Sequence, residues 1–305
     1  MCKNCEINSV IILSSGKKLC KTCFNRYFEK KVFKTIRKYR LIEEHDNLVV
    51  AVSGGKDSLT LLYLINMIVS KRREVKLQAV LIDEGIKGYR SKTIKDAEVF
   101  CNKYSIKLNI FSYKAEFGHT LDELIKKSKI NPCAVCGVLR RYMLNKYSKK
   151  LKATKLATGH NLDDEAQSIL MNQMKHNLEI SARLGPITGV IKDKRFIPRI
   201  KPLYFMTEKE VMIYSHLKGF TSVFVECPNS YESFRSDIRD SLNQLEAKYP
   251  GTKNGIVKTF VESLPYLKQE FKFKSKIQSC SVCSEPCSNE KCKVCNFIEE
   301  LKIKL

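Results

Sequence analysis

Leu48-Val49-Val50-Ala51-Val52-Ser53-Gly54-Gly55-Lys56-Asp57-Ser58-Leu59-Thr60-Leu61-Leu62 is the stretch that decides the fold. Its first five residues form an unbroken apolar run rich in valine, the pattern of a strand buried on both faces. From Leu59 onward the apolar residues Leu59, Leu61, Leu62, Ile65 and Ile68 follow a helical period. The six residues between are a strand-to-helix turn. Gly54 and Gly55 let the backbone turn tightly and present N–H groups to an anion, and a helix starting near Asp57 adds its positive dipole end. Ser53 and Ser58 bring hydroxyl donors. The loop therefore reads as a phosphate site. The Walker spacing G-x4-G-K-[ST] is absent, which disfavours γ-phosphate transfer by a P-loop kinase or motor.

Outward from the loop, strand-like runs at 48–52, 77–83, 108–113 and 154–158 alternate with helical patterns near 58–70, 91–104, 120–128 and 138–150. Such alternation predicts an α/β fold, a doubly wound parallel sheet with its ligands at the carboxyl ends of the strands. Gly159-His160-Asn161-Leu162-Asp163-Asp164 follows the strand at 154–158, and Asn161 is a helix N-cap. Acidic residues in a first turn stabilise the helix dipole; alternatively, Asp163 or Asp164 holds Mg²⁺ on nucleotide phosphates. The spacing does not divide the two. Further helices are expected at 207–217, where Thr207 and Glu210 stand in capping-box spacing, and at 233–247 and 255–274. Val223-Phe224-Val225 reads as strand-like before the loop of Cys227.

Lys and Arg outnumber Asp and Glu by 55 to 32, a net charge of +23 spread along the chain, which calls for a polyanionic partner. No apolar run reaches membrane-spanning length and no signal pattern opens the chain, so a cytoplasmic protein is expected. In such a compartment thirteen cysteines, mostly in close pairs, argue for metal or redox chemistry over disulfides. Cys2, Cys5, Cys20 and Cys23 make one zinc module at 1–25, and Cys280, Cys283, Cys292 and Cys295 make a second at 278–305. Cys287 is a fifth thiol in a four-ligand module and reads as a bystander. Cys101 has apolar neighbours and reads as core. The central Cys133-x2-Cys136 precedes a basic helix carrying Arg140 and Arg141; alone, it is a redox dithiol or half a metal site. The 26–277 segment between the modules is the catalytic unit.

Ser53-Gly54-Gly55-Lys56-Asp57-Ser58 resembles the SGGxDS loop of the PP-loop ATPases, adenine nucleotide α-hydrolase-like enzymes in which an acceptor oxygen attacks the α-phosphate of ATP. With both zinc modules and the central cysteines included, the whole chain resembles the TtuA-type branch of tRNA 2-thiolation enzymes, related to the TtcA-type thiolases. The resemblance implies that Cys133, Cys136 and Cys227 ligate a 4Fe-4S cluster, whose iron without a protein ligand is open to sulfur; a persulfide route would need the same residues. It implies that Ala51, Ser53, Gly54, Gly55, Lys56, Asp57, Ser58, Ile82 and Gly159 hold ATP. Asp57, Asp163 or Asp164, and Arg140 serve the chemistry, Arg140 as a cation beside the nucleotide where relatives carry lysine. Asp83, Glu84 and His160 are expected near the site, and Arg141 on a solvated face. A uridine C2 oxygen, once adenylated, leaves as AMP and sulfur replaces it. The implied partners are tRNA, a ubiquitin-like thiocarboxylated sulfur carrier or free sulfide, and a second copy of the chain. Basic stretches at 140–152, 233–239 with Arg235 and Arg239, and 268–276 would track phosphates. Wobble position 34 is favoured over position 54. Amination or amidation of an RNA base, or non-catalytic RNA binding by a relict fold, are the alternatives; neither needs the three central cysteines.

Overall fold

The computed structural model describes residues 1–2, 4–126, 131–191, 193–220, 227–229, 234–272 and 277–301. A short antiparallel ribbon, β1 (Ile11–Ile12) and β2 (Lys18–Leu19), leads directly into helix α1 (Lys21–Lys38). There follow β3 (Asn47–Ala51), α2 (Lys56–Val69), β4 (Lys76–Asp83), α3 (Arg90–Lys103) and β5 (Leu108–Ser112). Next come α4 (Tyr113–Phe117), α5 (Leu121–Lys126), α6 (Pro132–Lys150), β6 (Lys155–Ala157), α7 (Leu162–Met174), α8 (Leu178–Ala182), β7 (Arg199–Ile200) and α9 (Glu208–Lys218). Helices α10 (Phe234–Lys248) and α11 (Thr252–Lys272), a second ribbon of β8 (Gln278–Ser279) and β9 (Pro286–Cys287), and α12 (Lys293–Glu300) complete the described chain.

The central sheet has the order β5-β4-β3-β6-β7 with every pairing parallel. From β3 the chain walks outward through β4 to β5, then returns to the other side of β3 for β6 and β7. The loops after β3 and β6 therefore part in opposite directions, and a crevice opens at the carboxyl ends of those two strands. This is the doubly wound sheet expected from the alternation. The β7 edge was not expected, because two residues are too few for any hydrophobic period to register.

Leu48, Val49 and Val50 are fully buried, as strands covered on both faces require. Helix α2 buries Leu59, Leu61, Leu62, Leu64 and Ile65. Helix α1, which the sequence reading passed over, buries Phe24 and Phe28, and Phe28 stacks on Tyr214 of α9 with ring centroids 4.1 Å apart. It begins inside the first cysteine module and so ties that module to the core. Helices α10 and α11, for which no separate core was evident from the sequence, close an apolar cluster over α7, using Ile238, Leu242, Val257, Phe260 and Leu264 against Leu162, Ala166 and Ile169.

One boundary differs in a way that matters. Helix α6 was expected from 138, with Cys133 and Cys136 ahead of it; it begins at Pro132 and carries both cysteines in its first turns. Proline is preorganised for a first helical position, and the Asn131 side chain caps the helix by accepting from Cys133 N at 2.9 Å and Ala134 N at 3.3 Å. The second cysteine module rests on the far end of α6: Glu285 accepts from Asn145 Nδ2 at 3.1 Å and from Lys149 Nζ at 2.5 Å. The strand-like reading of Val223-Phe224-Val225 lies outside the described residues, as do residue 233 and residues 273–276 of the basic stretches. Among the described residues, no helix is long and apolar enough to cross a membrane.

Candidate active site

The loop after β3 braces itself. Ser53 N donates to Ser58 Oγ at 3.1 Å, and Ser58 Oγ donates to Gly55 O at 2.9 Å. Gly54 has φ +82°, and a Cβ there would stand 2.0 Å from the carbonyl oxygen of Thr93, so only glycine fits. Gly159, after β6, packs on the loop from the other side; its Cβ would lie 3.0 Å from the Asp57 carbonyl carbon and 3.1 Å from Ser58 N. Arg90 of α3 holds the third side: its NH1 donates to Ser53 O at 2.9 Å, and its NH2 to Ile82 O. Ile82 is buried and acts through that carbonyl, while Ala51 is half-buried at the end of β3. Lys56 Nζ donates to Asp57 Oδ2 at 3.0 Å and to Glu208 Oε1 at 2.9 Å, linking the loop to the start of α9.

The two aspartates of α7 separate cleanly. Asp163 is consumed by packing: its Oδ2 accepts from Glu208 N at 2.7 Å and its Oδ1 from the buried Lys253 of α11. Asp164 keeps a third of its side chain exposed beside the loop. Its Oδ2 accepts from Asn161 N at 3.1 Å, closing a capping box, and its Oδ1 accepts from Arg235 NH2 at 3.0 Å. Loss of solvent pushes Asp164 up to about 6 despite Arg235, and the charge of Asp57 adds to the rise. Asp57 Oδ1 in turn accepts from Asn161 Nδ2 at 3.1 Å, so Asn161 joins the two carboxylates. Arg235 is exposed and also braces this cluster, with Nε donating to Gln167 Oε1 at 2.9 Å. His160 lies beside this cluster, exposed, with its Nδ1 2.9 Å from Thr158 Oγ1.

On the other side of the loop, a cavity of about 160 Å³ is lined by Ser53, Glu84, Cys133, Cys136, Arg140 and Cys227 among others. Three cysteines separated by as many as 94 residues of chain thus meet a loop serine and a cation. Cys133 Sγ lies 3.2 Å from Asn229 O. Burial raises both Cys136 and Cys227, with Glu84 adding to both rises and Arg140 opposing them. Arg140 stands half exposed, with NH1 3.5 Å from Glu84 Oε1. Arg141 is exposed, as expected. The sequence had no signal for Arg90, which follows a loop and carries no motif of its own, although it fixes both Ser53 and Glu84.

Two other cysteine sets are tighter. The thiols of Cys2, Cys5, Cys20 and Cys23 all lie within 4.8 Å of one another, and so do those of Cys280, Cys283, Cys292 and Cys295. Backbone N–H groups of Asn4 and Cys20 lower the Cys2 thiol, while hydrogen bonds from neighbouring thiols raise Cys5. Four thiols at that separation suit one tetrahedral ion such as zinc. Cys287 stays outside its set, with Sγ 2.8 Å from Asn289 O. The central three do not form a set of that tightness. They line one cavity together with Ser53 and Arg140.

A parallel sheet with an SGGKDS loop at its switch point and no Walker lysine defines a PP-loop enzyme, and a model of the PP-loop domain matches residues 24–246. The chain is 35% identical over 297 residues to the tRNA-5-methyluridine(54) 2-sulfurtransferase of Pyrococcus horikoshii, spanning 97% of this chain and 93% of that one. It is 33% identical over 317 residues to the tRNA 2-thiolation protein NcsA of Haloferax volcanii, spanning 99% of both. Among solved structures, the U34-tRNA thiolase NcsA from Methanococcus maripaludis, held with its 4Fe-4S cluster, superposes with a TM-score of 0.84 at 34% identity, covering 98% of this chain and 96% of that one. The chain belongs to the PP-loop tRNA 2-thiolation family, the branch that includes the TtuA and NcsA proteins.

Proposed function

We propose that the protein is an ATP-dependent tRNA-uridine 2-sulfurtransferase acting on wobble position 34. The observation that carries the reading is that Cys133, Cys136, Cys227 and Arg140 share one cavity with Ser53 of the nucleotide loop. Activation and sulfur delivery must reach the same carbon, and a common cavity meets that demand. Base amidation, or RNA binding without chemistry, has no use for three thiols there.

The loop amides of residues 54–58, the Ser53 and Ser58 hydroxyls and the start of α2 would grip the pyrophosphate half of ATP. Asp57 and Asp164, joined through Asn161, are the carboxylates that would hold Mg²⁺ on the phosphates, hard oxygen donors for a hard cation. Arg140 would neutralise the charge that grows on the α-phosphate as the uridine C2 oxygen attacks it. Arg90 keeps the Ser53 carbonyl turned away from the incoming phosphates. Cys133, Cys136 and Cys227 would hold a 4Fe-4S cluster, which when bound supplies sulfur to the activated C2. The oxygen originally on C2 then leaves as part of AMP.

The same reading takes the two terminal cysteine sets as structural zinc sites, in modules 1–25 and 278–305 flanking a catalytic unit at 26–277. It makes the basic surface the tRNA face, with a thiocarboxylated ubiquitin-like carrier or free sulfide as donor, a homodimer as the assembly and the cytoplasm as the setting. A target base must leave its stack to enter a cavity this size. The test is mass mapping of nuclease-digested tRNA after anaerobic incubation with iron-reconstituted protein, ATP, Mg²⁺ and sulfide. A sulfur-for-oxygen shift on the position 34 uridine supports the reading; a shift confined to position 54 overturns the choice of site, and no shift overturns the activity.

A further inference from the structure

We infer that Glu84 accepts the N3–H of the target uracil and is the group that selects uracil over cytosine. The inference rests on the thiolation reading above. Glu84 follows β4 and is 2% exposed, yet it lines the cavity that holds the three thiols. Neither of its carboxylate oxygens has a hydrogen-bond partner. Arg90 Nε lies 2.8 Å from Oε2 but outside hydrogen-bond geometry, and Arg140 NH1 is 3.5 Å from Oε1. Oε2 is thus taken up by the Arg90 ion pair, while Oε1, with only Arg140 at 3.5 Å, keeps its accepting capacity. A buried acceptor in that state costs stability, so a protein that keeps one in its reaction cavity has a donor still to come. Arg90 is buried and committed to Ser53 and Ile82. Arg140 is half exposed, and by turning toward a phosphate it uncovers Glu84 Oε1.

The chemistry of the base supplies the missing donor. A pyrimidine that offers its C2 oxygen to the α-phosphate presents the neighbouring N3 to the same wall. In uracil N3 carries a hydrogen; in cytosine it carries a lone pair. A carboxylate accepts from the first and repels the second, whereas the Ser53 and Tyr89 hydroxyls and the Asn229 amide can serve either. Among the described residues lining the cavity, Glu84 is the sole carboxylate. Sites built around such a hydrogen bond reject the base that cannot make it by factors on the order of 100 or more.

The experiment compares wild type, Glu84→Gln and Glu84→Asp on tRNA transcripts that differ only in U or C at the position gaining sulfur, read as sulfur mass gain per unit time. A glutamine amide can donate to cytosine N3 as well as accept from uracil, so Glu84→Gln should lower the U-over-C preference at least tenfold, while Glu84→Asp keeps the preference at a reduced rate. An unchanged preference in Glu84→Gln overturns the assignment. Should that variant fail to fold, as judged by its melting curve, wild type is given 3-deazauridine at the same position, which keeps the shape and replaces N3–H by C–H. A fall of roughly 100-fold in kcat/KM supports the assignment, and an unchanged kcat/KM overturns it. No sulfur gain by wild type on the U transcript sinks the thiolation reading and this assignment with it, an outcome distinct from normal thiolation with an unchanged preference.

Discussion

Cys136 and Arg140 stand four residues apart on α6 and open into the same cavity. One helical turn therefore delivers a thiol and a guanidinium to one side of the nucleotide loop. Because the helix is capped at Asn131 and pinned at its far end by Glu285, neither group can shift without the other.

Removing any one central thiol should break the sulfur half of the reaction and spare the rest. Cys227→Ala is expected to lose tRNA thiolation and the visible absorbance of the iron-reconstituted protein while binding tRNA as tightly as wild type, measured by filter binding. Thiolation at the wild-type rate would count against the assignment of all three cysteines.

Gly54→Ala should cost ATP-dependent activity about 100-fold or more, because its Cβ would stand 2.0 Å from the Thr93 carbonyl at a φ that L-residues rarely adopt. Gly159→Ala, whose contacts are 3.0 to 3.2 Å from the Asp57 and Ser58 backbone, should act less severely. Pyrophosphate release in the presence of tRNA separates the two, and equal rates for both would contradict the packing account.

Metal content distinguishes the thiols of the second module. Protein purified under reducing conditions should carry two zinc ions per chain; Cys283→Ser should lose one, while Cys287→Ser keeps both, since Cys287 lies outside the set of four. Elemental analysis settles it. Loss of zinc from Cys287→Ser would reassign the ligands.

Cys101 gives a pH prediction. Burial pushes its thiol up to about 11 from an ordinary value of 9.0. A folded pKa above the unfolded one means that the contribution is fully present below pH 9 and is lost as pH rises from 9 to 11. Cys101→Ala should be less stable at pH 7 by about 1 kcal/mol through lost packing. Its melting temperature should nevertheless fall less steeply than that of wild type between pH 9 and 11. Parallel curves would show that the thiol ionises as readily in the folded chain as in the unfolded one, against the burial account.

Much of this was legible from residue pattern. Val49 and Val50 announced a doubly covered strand, and Gly54-Gly55 a turn only glycine tolerates, because burial and backbone sterics write themselves into residue type. The pairs at Cys2, Cys20, Cys280 and Cys292 announced, by spacing alone, the two sets of four thiols that the fold brings together. What escaped was set by tertiary placement. Asp163 and Asp164 are neighbours of one type in one helical turn, and only the positions of Lys253 and Arg235 decide which carboxylate packs and which faces the loop. Arg90 carries no periodic or motif signal, and although Glu84 was expected near the site, its pairing with Arg90 depends on how α3 crosses the end of β4. The start of α6 lies six residues before the expected 138, because Asn131 caps the helix and Pro132 takes its first position.

The most direct test of the central claim follows the oxygen. With tRNA carrying ¹⁸O at C2 of the target uridine, and ATP, Mg²⁺, sulfide and iron-reconstituted protein supplied anaerobically, the AMP formed should carry the label in proportion to sulfur incorporated, as read by mass spectrometry. Unlabelled AMP alongside thiolated tRNA would mean that the C2 oxygen never reached the α-phosphate, and the account of adenylation in the cavity beside Ser53 and Arg140 would be wrong.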